Sequence, residues 1–181
     1  MGLKDLFKKK EEDFDPLKDL VLSKLRVGFY VDYDLKTWEV TAYNRYDYGE
    51  GYVTDEWELT SGREKWYLER AEDDDVEWTF SKKLPMGAIE GDIRQYIIEH
   101  DDAPNKIVCK GRNYFLDETG SGHLYEDGKG DGREFIYWDF IDEADEHFVV
   151  IEQWGETEFE AAEGYYVEEY QFSSILPAGN D

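Results

Sequence analysis

WDFIDEADEHFVVIEQWGETEFE, residues 138–160, decides how the chain is built. It reads as two strands, a turn and the start of a third: Trp138, Phe140 and Ile141, then Phe148 to Ile151, then Phe159. The same order of parts occurs earlier, in residues 57–78, WELTSGREKWYLERAEDDDVEW. Trp57-Glu58-Leu59 answers Trp138-Asp139-Phe140, and Leu68-Glu69 answers Ile151-Glu152. Upstream, Val31, Tyr33, Lys36, Trp38 and Val40 align with Ile107, Cys109, Arg112, Tyr114 and Leu116. One β-unit is written twice. The expectation is a mainly all-β chain of internally duplicated antiparallel meander or roll units, with short N-terminal helices and one possible connecting helix. Trp38, Trp57, Leu68, Tyr114, Trp138 and Ile151, apolar in both copies, are the expected structural core.

The units fall at 26–83 and 106–177, with an N-terminal segment at 1–25, a connector at 84–105 and a tail at 178–181. In the first unit the period falls to two from Phe29 onward, and strands are expected at 52–60, 65–70 and 76–80. Tyr43 to Gly51 reads as a loop rich in Tyr, Asp and Gly. Its counterpart, Thr119 to Gly132, is rich in glycine instead. Asp15-Pro16 is a helix start, and Leu17, Leu20, Val21 and Leu25 give residues 16–25 an apolar face. In the connector, Ile89, Ile93, Tyr96, Ile97 and His100 share a helical face, although an extended path is an alternative.

The 181 residues carry a formal charge of −25, and aromatics make up 17% of them. Dense Tyr and Trp suit half-buried pleated surfaces. A field of that sign repels phosphates, so direct nucleic-acid binding is not expected. The charge reads as solubility together with a basic partner. The single cysteine, Cys109, excludes an internal disulfide and fits a reducing compartment. No apolar run approaches the ~18 residues needed to cross a bilayer. The expected location is the cytoplasm, with peripheral contact at the inner face of the membrane as an option. That option rests on Leu3, Leu6 and Phe7 at helical spacing beside Lys8, Lys9 and Lys10. Such a foot would hold weakly, the alternative being a terminal helix that is frayed or packed.

No catalytic constellation stands out, and neither a metal nor a cofactor is expected. Asp127 and Asp131 imitate the opening of a calcium loop, but Lys129 and Trp138 stand where further ligands belong. His100, His123 and His147 have no second His or Cys at zinc spacing. Ser121, between Gly120 and Gly122, lacks the glycine spacing of a hydrolase elbow. Glu69 and Glu152, shared by the copies, each follow a buried Leu or Ile. Alternation puts them on the opposite face, where an ion pair or a solvated surface is expected. The candidate binding residues are Tyr43, Tyr46, Tyr48 and Tyr52, because tyrosine-rich loops offer rigid amphipathic contact area. The plainer alternative is that they cover an open sheet edge.

VDYDLKTWEV, DEWELTSG and WYLE in the first half, and WDFIDE, IEQWGETEFEA and YQFSSILP in the second, together resemble a bacterial domain-of-unknown-function family, family 4178. The resemblance covers about residues 25–177 and is most specific at IEQWGETEFEA. It implies a non-enzymatic accessory role, encoded beside membrane-stress proteins and spermidine-synthase-like enzymes, with no catalytic residues to carry over. Three functions follow as expectations. The first is a non-catalytic binding or adaptor domain with a protein partner. The second is an acidic mimic that captures a basic or nucleic-acid-binding protein. The third is a protein that binds, or acts on, a polyamine-related ligand.

Overall fold

The computed structural model describes residues 15–179; the proposed membrane foot, Leu3 to Lys10, lies outside them. The first half contains β1 (Tyr30–Tyr33), β2 (Lys36–Gly49), β3 (Tyr52–Ser61), β4 (Glu64–Glu72) and β5 (Val76–Leu84). The second repeats the order with β6 (Lys106–Cys109), β7 (Arg112–Glu126), β8 (Arg133–Asp142), β9 (His147–Gln153) and β10 (Phe159–Val167), and β11 (Ser173–Leu176) follows. Helix α1 (Pro16–Asp19) and a 3-10 turn at Leu22–Lys24 replace the single helix expected over 16–25. Between the halves, α2 (Ile93–His100) starts where the Asp92 side chain accepts a hydrogen bond from the Gln95 amide at 3.1 Å.

The chain is mainly β, as the duplicated pattern requires. Its strands form one antiparallel sheet in the order β11-β1-β2-β3-β4-β5-β10-β9-β8-β7-β6. A further pairing of β2 with β7 closes eight of them into a barrel. The two units therefore share one closed wall. They join at two seams, β5 with β10 and β2 with β7. The stretches read as a tyrosine-rich and a glycine-rich loop are largely strand. Asn44 to Asp47 pair with His123 to Glu126, and this is the pairing that closes the barrel. Beyond the repeated strands, β10 runs on to Val167, and β11 pairs with β1 of the first unit.

The duplication extends to register. Trp57 pairs with Leu68, and Trp138 with Ile151. A bulge follows Val40 in β2, and another follows Leu116 at the equivalent place in β7. Each bulge adds a residue and turns its strand, so the start of β2 pairs with β1 while its end reaches β7. The tryptophans do matching work. The Trp57 indole N–H donates to the Leu25 carbonyl at 2.9 Å, and that of Trp138 to the Asp102 carboxylate at 2.9 Å. Each ties the outer barrel wall to the segment that leads into its own unit.

A smaller apolar cluster of Tyr46, Phe135 and Tyr137 lies inside the barrel, and the two larger apolar cores lie outside it. One packs Val31, Trp38, Trp57, Leu68 and Phe80 under Leu22, Leu25 and Phe172. The other packs Tyr114, Trp138, Phe140 and Ile151 under Ile93 and Ile97 of α2. Period-two alternation then turns the residues next to Trp57, Leu68, Trp138 and Ile151 into the barrel.

Candidate acidic cavity inside the barrel

The inward residues of all eight barrel strands line a cavity of about 670 Å³. Tyr46, Tyr48, Tyr137, Phe148 and Tyr166 supply aromatic wall. Glu69, Glu118, Asp139 and Glu152 supply carboxylates, with Glu72, Asp73 and Glu77 towards the strand ends and Asp117 at the bulge of β7. Among the described residues no lysine, arginine, histidine, serine or cysteine lines it. Glu69 and Glu152 thus face an enclosed space. The expectation of an exterior wet face is corrected by the closure: alternation separates two faces of a sheet, and rolling it up makes one of them an interior.

Burial raises the carboxyl of Asp139 to about 7, and the charges of Glu118, Glu152 and Asp117 push the same way. Glu152 is likewise raised to about 7, chiefly by burial, with the positive charge of Lys83 pulling it down. Glu69 is raised well above the usual carboxylate range by burial and by the like charges of Glu56, Glu152 and Asp139, against a smaller pull from the charge of Lys83. Glu56, 6% exposed, is also raised by burial. It accepts hydrogen bonds from the Asn44 amide at 2.8 Å and the Tyr46 hydroxyl at 3.4 Å. Glu118 accepts from the Tyr137 hydroxyl at 2.7 Å. No side chain within hydrogen-bonding distance partners Glu69 or Asp139 among the described residues. Their oxygens face the cavity, and protein surrounds them elsewhere. Burying an uncompensated carboxylate is costly, so carboxyls in this position hold their protons at pH values where exposed ones are ionised.

The sequence-derived tyrosines separate. Tyr46 and Tyr48 point inward, where their rings stack 6.2 Å apart and meet Phe135 edge-on. Burial raises both hydroxyls well above the usual tyrosine range. Tyr52 lies at the rim. Tyr43 is on the outer wall against Trp57, its hydroxyl 2.5 Å from Asp55, so the four do not form one surface. Glycine in the second unit makes room for this packing. A Cβ on Gly122, the counterpart of Tyr46, would lie 2.9 Å from the Asp47 carbonyl oxygen and 3.0 Å from the Phe135 ring.

The other candidates are scattered. Cys109 is buried in the second outer core. His100 ends α2, bonded to the Tyr96 carbonyl at 2.8 Å. Ser121 and His123 are exposed on β7. His147 lies 3.1 Å from Asp142, which also binds Arg112 and the backbone N–H groups of Glu146 and His147, so the cluster holds the β8–β9 turn. Among the described residues no group of three or more His, Cys, Asp or Glu side chains is arranged to hold a metal ion. No described helix is long and apolar enough to cross a membrane.

A family model described as Domain of unknown function (DUF4178) matches residues 26–169, which hold every barrel strand. The chain belongs to the DUF4178 family. The match takes in both DUF4178 half-barrels and the cavity between them. The chain is also similar to an uncharacterized protein of Aquifex aeolicus (strain VF5), 28% identical over 176 residues, covering 97% of this chain and 96% of that one. No solved structure matches significantly.

Proposed function

We propose that this DUF4178 chain is a non-catalytic binding module that takes a small organic cation, of the di- or polyamine class, into its barrel. The observation that carries the reading is the enclosed position of Glu69, Asp139 and Glu152, in a wall that contains no cationic side chain among the described residues. An ammonium group compensates such carboxylates with charge-assisted hydrogen bonds, and flanking tyrosine rings attract a cation by their π-faces. A volume of about 670 Å³ lies within the range of small-molecule sites. Carboxylates spread over several strands favour a ligand with more than one charge. The inward acids also leave the outer surface with fewer carboxylates for charge mimicry of DNA.

Isothermal titration calorimetry of the full chain with spermidine and putrescine tests the reading, in a buffer free of amines such as Tris. Saturable binding at one ligand per chain is expected, and a neutral diol of similar length should give none. No heat with either amine at millimolar concentration refutes it.

A further inference from the structure

The two units let one half of the cavity be compared with the other. Phe80 and Ala161 are equivalent, because they pair with the equivalent residues Leu68 and Ile151. Three residues further on, Lys83 of β5 therefore corresponds to Gly164 of β10. The seam agrees: Lys83 pairs with Ala162, and Gly164 with Ser81. Glu152 corresponds to Glu69.

On the Glu152 side the chain provides its own cation. The Lys83 ammonium is bonded to Glu160 and sits 5.7 Å from the centre of the Tyr67 ring. Burial works against its charge, but the Glu160 bond and the charge of Glu152 outweigh this and hold it protonated. On the Glu69 side the equivalent position cannot carry a side chain. A Cβ on Gly164 would lie 2.5 Å from the Phe148 ring, 2.6 Å from the Phe80 carbonyl oxygen and 2.7 Å from the Ser81 Cβ. Glu160 is matched there by Thr79. Glu69 is thus left without hydrogen-bond partners among the described residues; the like charges of Glu56, Glu152 and Asp139 act on it more strongly than the charge of Lys83, whose ammonium is bonded to Glu160. Tyr46 and Tyr48 both feel its charge.

We infer that Glu69 is the ammonium anchor of the cavity: a primary or secondary ammonium of the ligand does for Glu69 what the chain's own Lys83 does for Glu152. The inference rests on the cation-binding reading and makes it asymmetric. One of two equivalent acids is served internally, and the other is served by the ligand.

The test compares spermidine titrations of the full-length wild type with Glu69→Gln, Glu152→Gln and the double variant Glu69→Gln/Lys83→Met. Glu69→Gln should weaken binding at least tenfold, and by clearly more than Glu152→Gln does. The double variant should regain most of the affinity, since removing Lys83 turns Glu152 into the acid that Glu69 was. Thermal melts at pH 8.5 separate loss of binding from loss of fold, because a neutral Gln replaces an uncompensated charge and should raise the midpoint. Unchanged affinity in Glu69→Gln, or a larger loss in Glu152→Gln, overturns the anchor while leaving cation binding in place. Failure of the double variant to recover, with its fold intact, overturns the equivalence. Absence of binding by the wild type overturns both readings.

Discussion

Replacing Asp139 by Asn should stabilise the ligand-free protein in alkaline buffer and do nothing in acid. Asp139 is directed into the cavity from β8, has no cationic neighbour in the wall among the described residues, and is raised by burial from 3.8 to about 7. Each tenfold change in ionisation corresponds to about 1.4 kcal/mol. The folded protein at pH 8.5 therefore carries a penalty on the order of 4 kcal/mol for an ionised Asp139 that the unfolded chain does not carry. Part of it arises from the charges of Glu118 and Glu152, whose side chains can relax, and cavity water lowers it further. About 2–3 kcal/mol is left to recover.

The sign follows from where the protons are. Below about pH 4 Asp139 is protonated in both folded and unfolded states, so Asn gains nothing there. Between about 4 and 7 the unfolded chain gives up its proton while the folded chain keeps it, and wild-type stability falls as pH rises. Above 7 the loss is complete, and Asn recovers it. For a chain of this size, 1 kcal/mol moves the melting midpoint by about 2–4 °C, so Asp139→Asn should melt about 5–10 °C higher at pH 8.5. Calorimetric or circular-dichroism melts at pH 4 and pH 8.5, in amine-free buffers, provide the comparison. An equal shift at both pH values, or a lower midpoint at 8.5, would show that Asp139 is not an uncompensated buried acid.

Two further outcomes follow from the same geometry. Gly164→Ala should cost about 2–3 kcal/mol and lower the midpoint by roughly 5–10 °C, since the added carbon meets a backbone carbonyl as well as the Phe148 ring; Gly155→Ala, whose added carbon meets nothing nearer than 3.8 Å, is the control and should change little. Amine binding should expel protons, because Asp139, near 7, and the more strongly raised Glu69 must ionise to face the ligand. Spermidine affinity should then fall as pH drops from 8 to 6, by up to about tenfold per pH unit for each proton expelled; titrations in buffers of different ionisation heat count the protons, and a pH-independent affinity contradicts this.

Much of the fold was legible because it is local and repeated. The hairpin strands follow from alternation and turn residues, and the equivalence of Trp57 with Trp138 follows from two copies of one pattern. The closure was not legible. It depends on β2 meeting β7 near Tyr46 and Leu124, far apart in sequence, and on the bulges after Val40 and Leu116 that turn the strands towards each other. Tyr, Asn, Asp and Gly in those strands carry the composition of a loop, and their strand state is imposed by the partner across the seam. The site was missed for a related reason. Glu69 and Glu152 were visible as shared acids opposite an apolar face, but period two cannot tell a solvated face from an enclosed one. Their repetition in both units was the one signal available for finding them.

Closure also explains why the acids matter more here than on an open sheet. On an open sheet each inward carboxylate would meet bulk water, and charge at neutral pH would cost little. Joining two half-barrels face to face confronts Glu69 of one half with Glu152 and Asp139 of the other, whose like charges raise it. A chain selected for stability alone would fill that space with apolar side chains, as it does outside the barrel around Phe80 and Phe140. It has instead put Lys83 beside one member of the Glu69–Glu152 pair and glycine beside the other. Carrying the penalty at Glu69 is what ties the stability of the fold to the arrival of a cation, since whatever offsets that charge binds the folded chain and not the unfolded one.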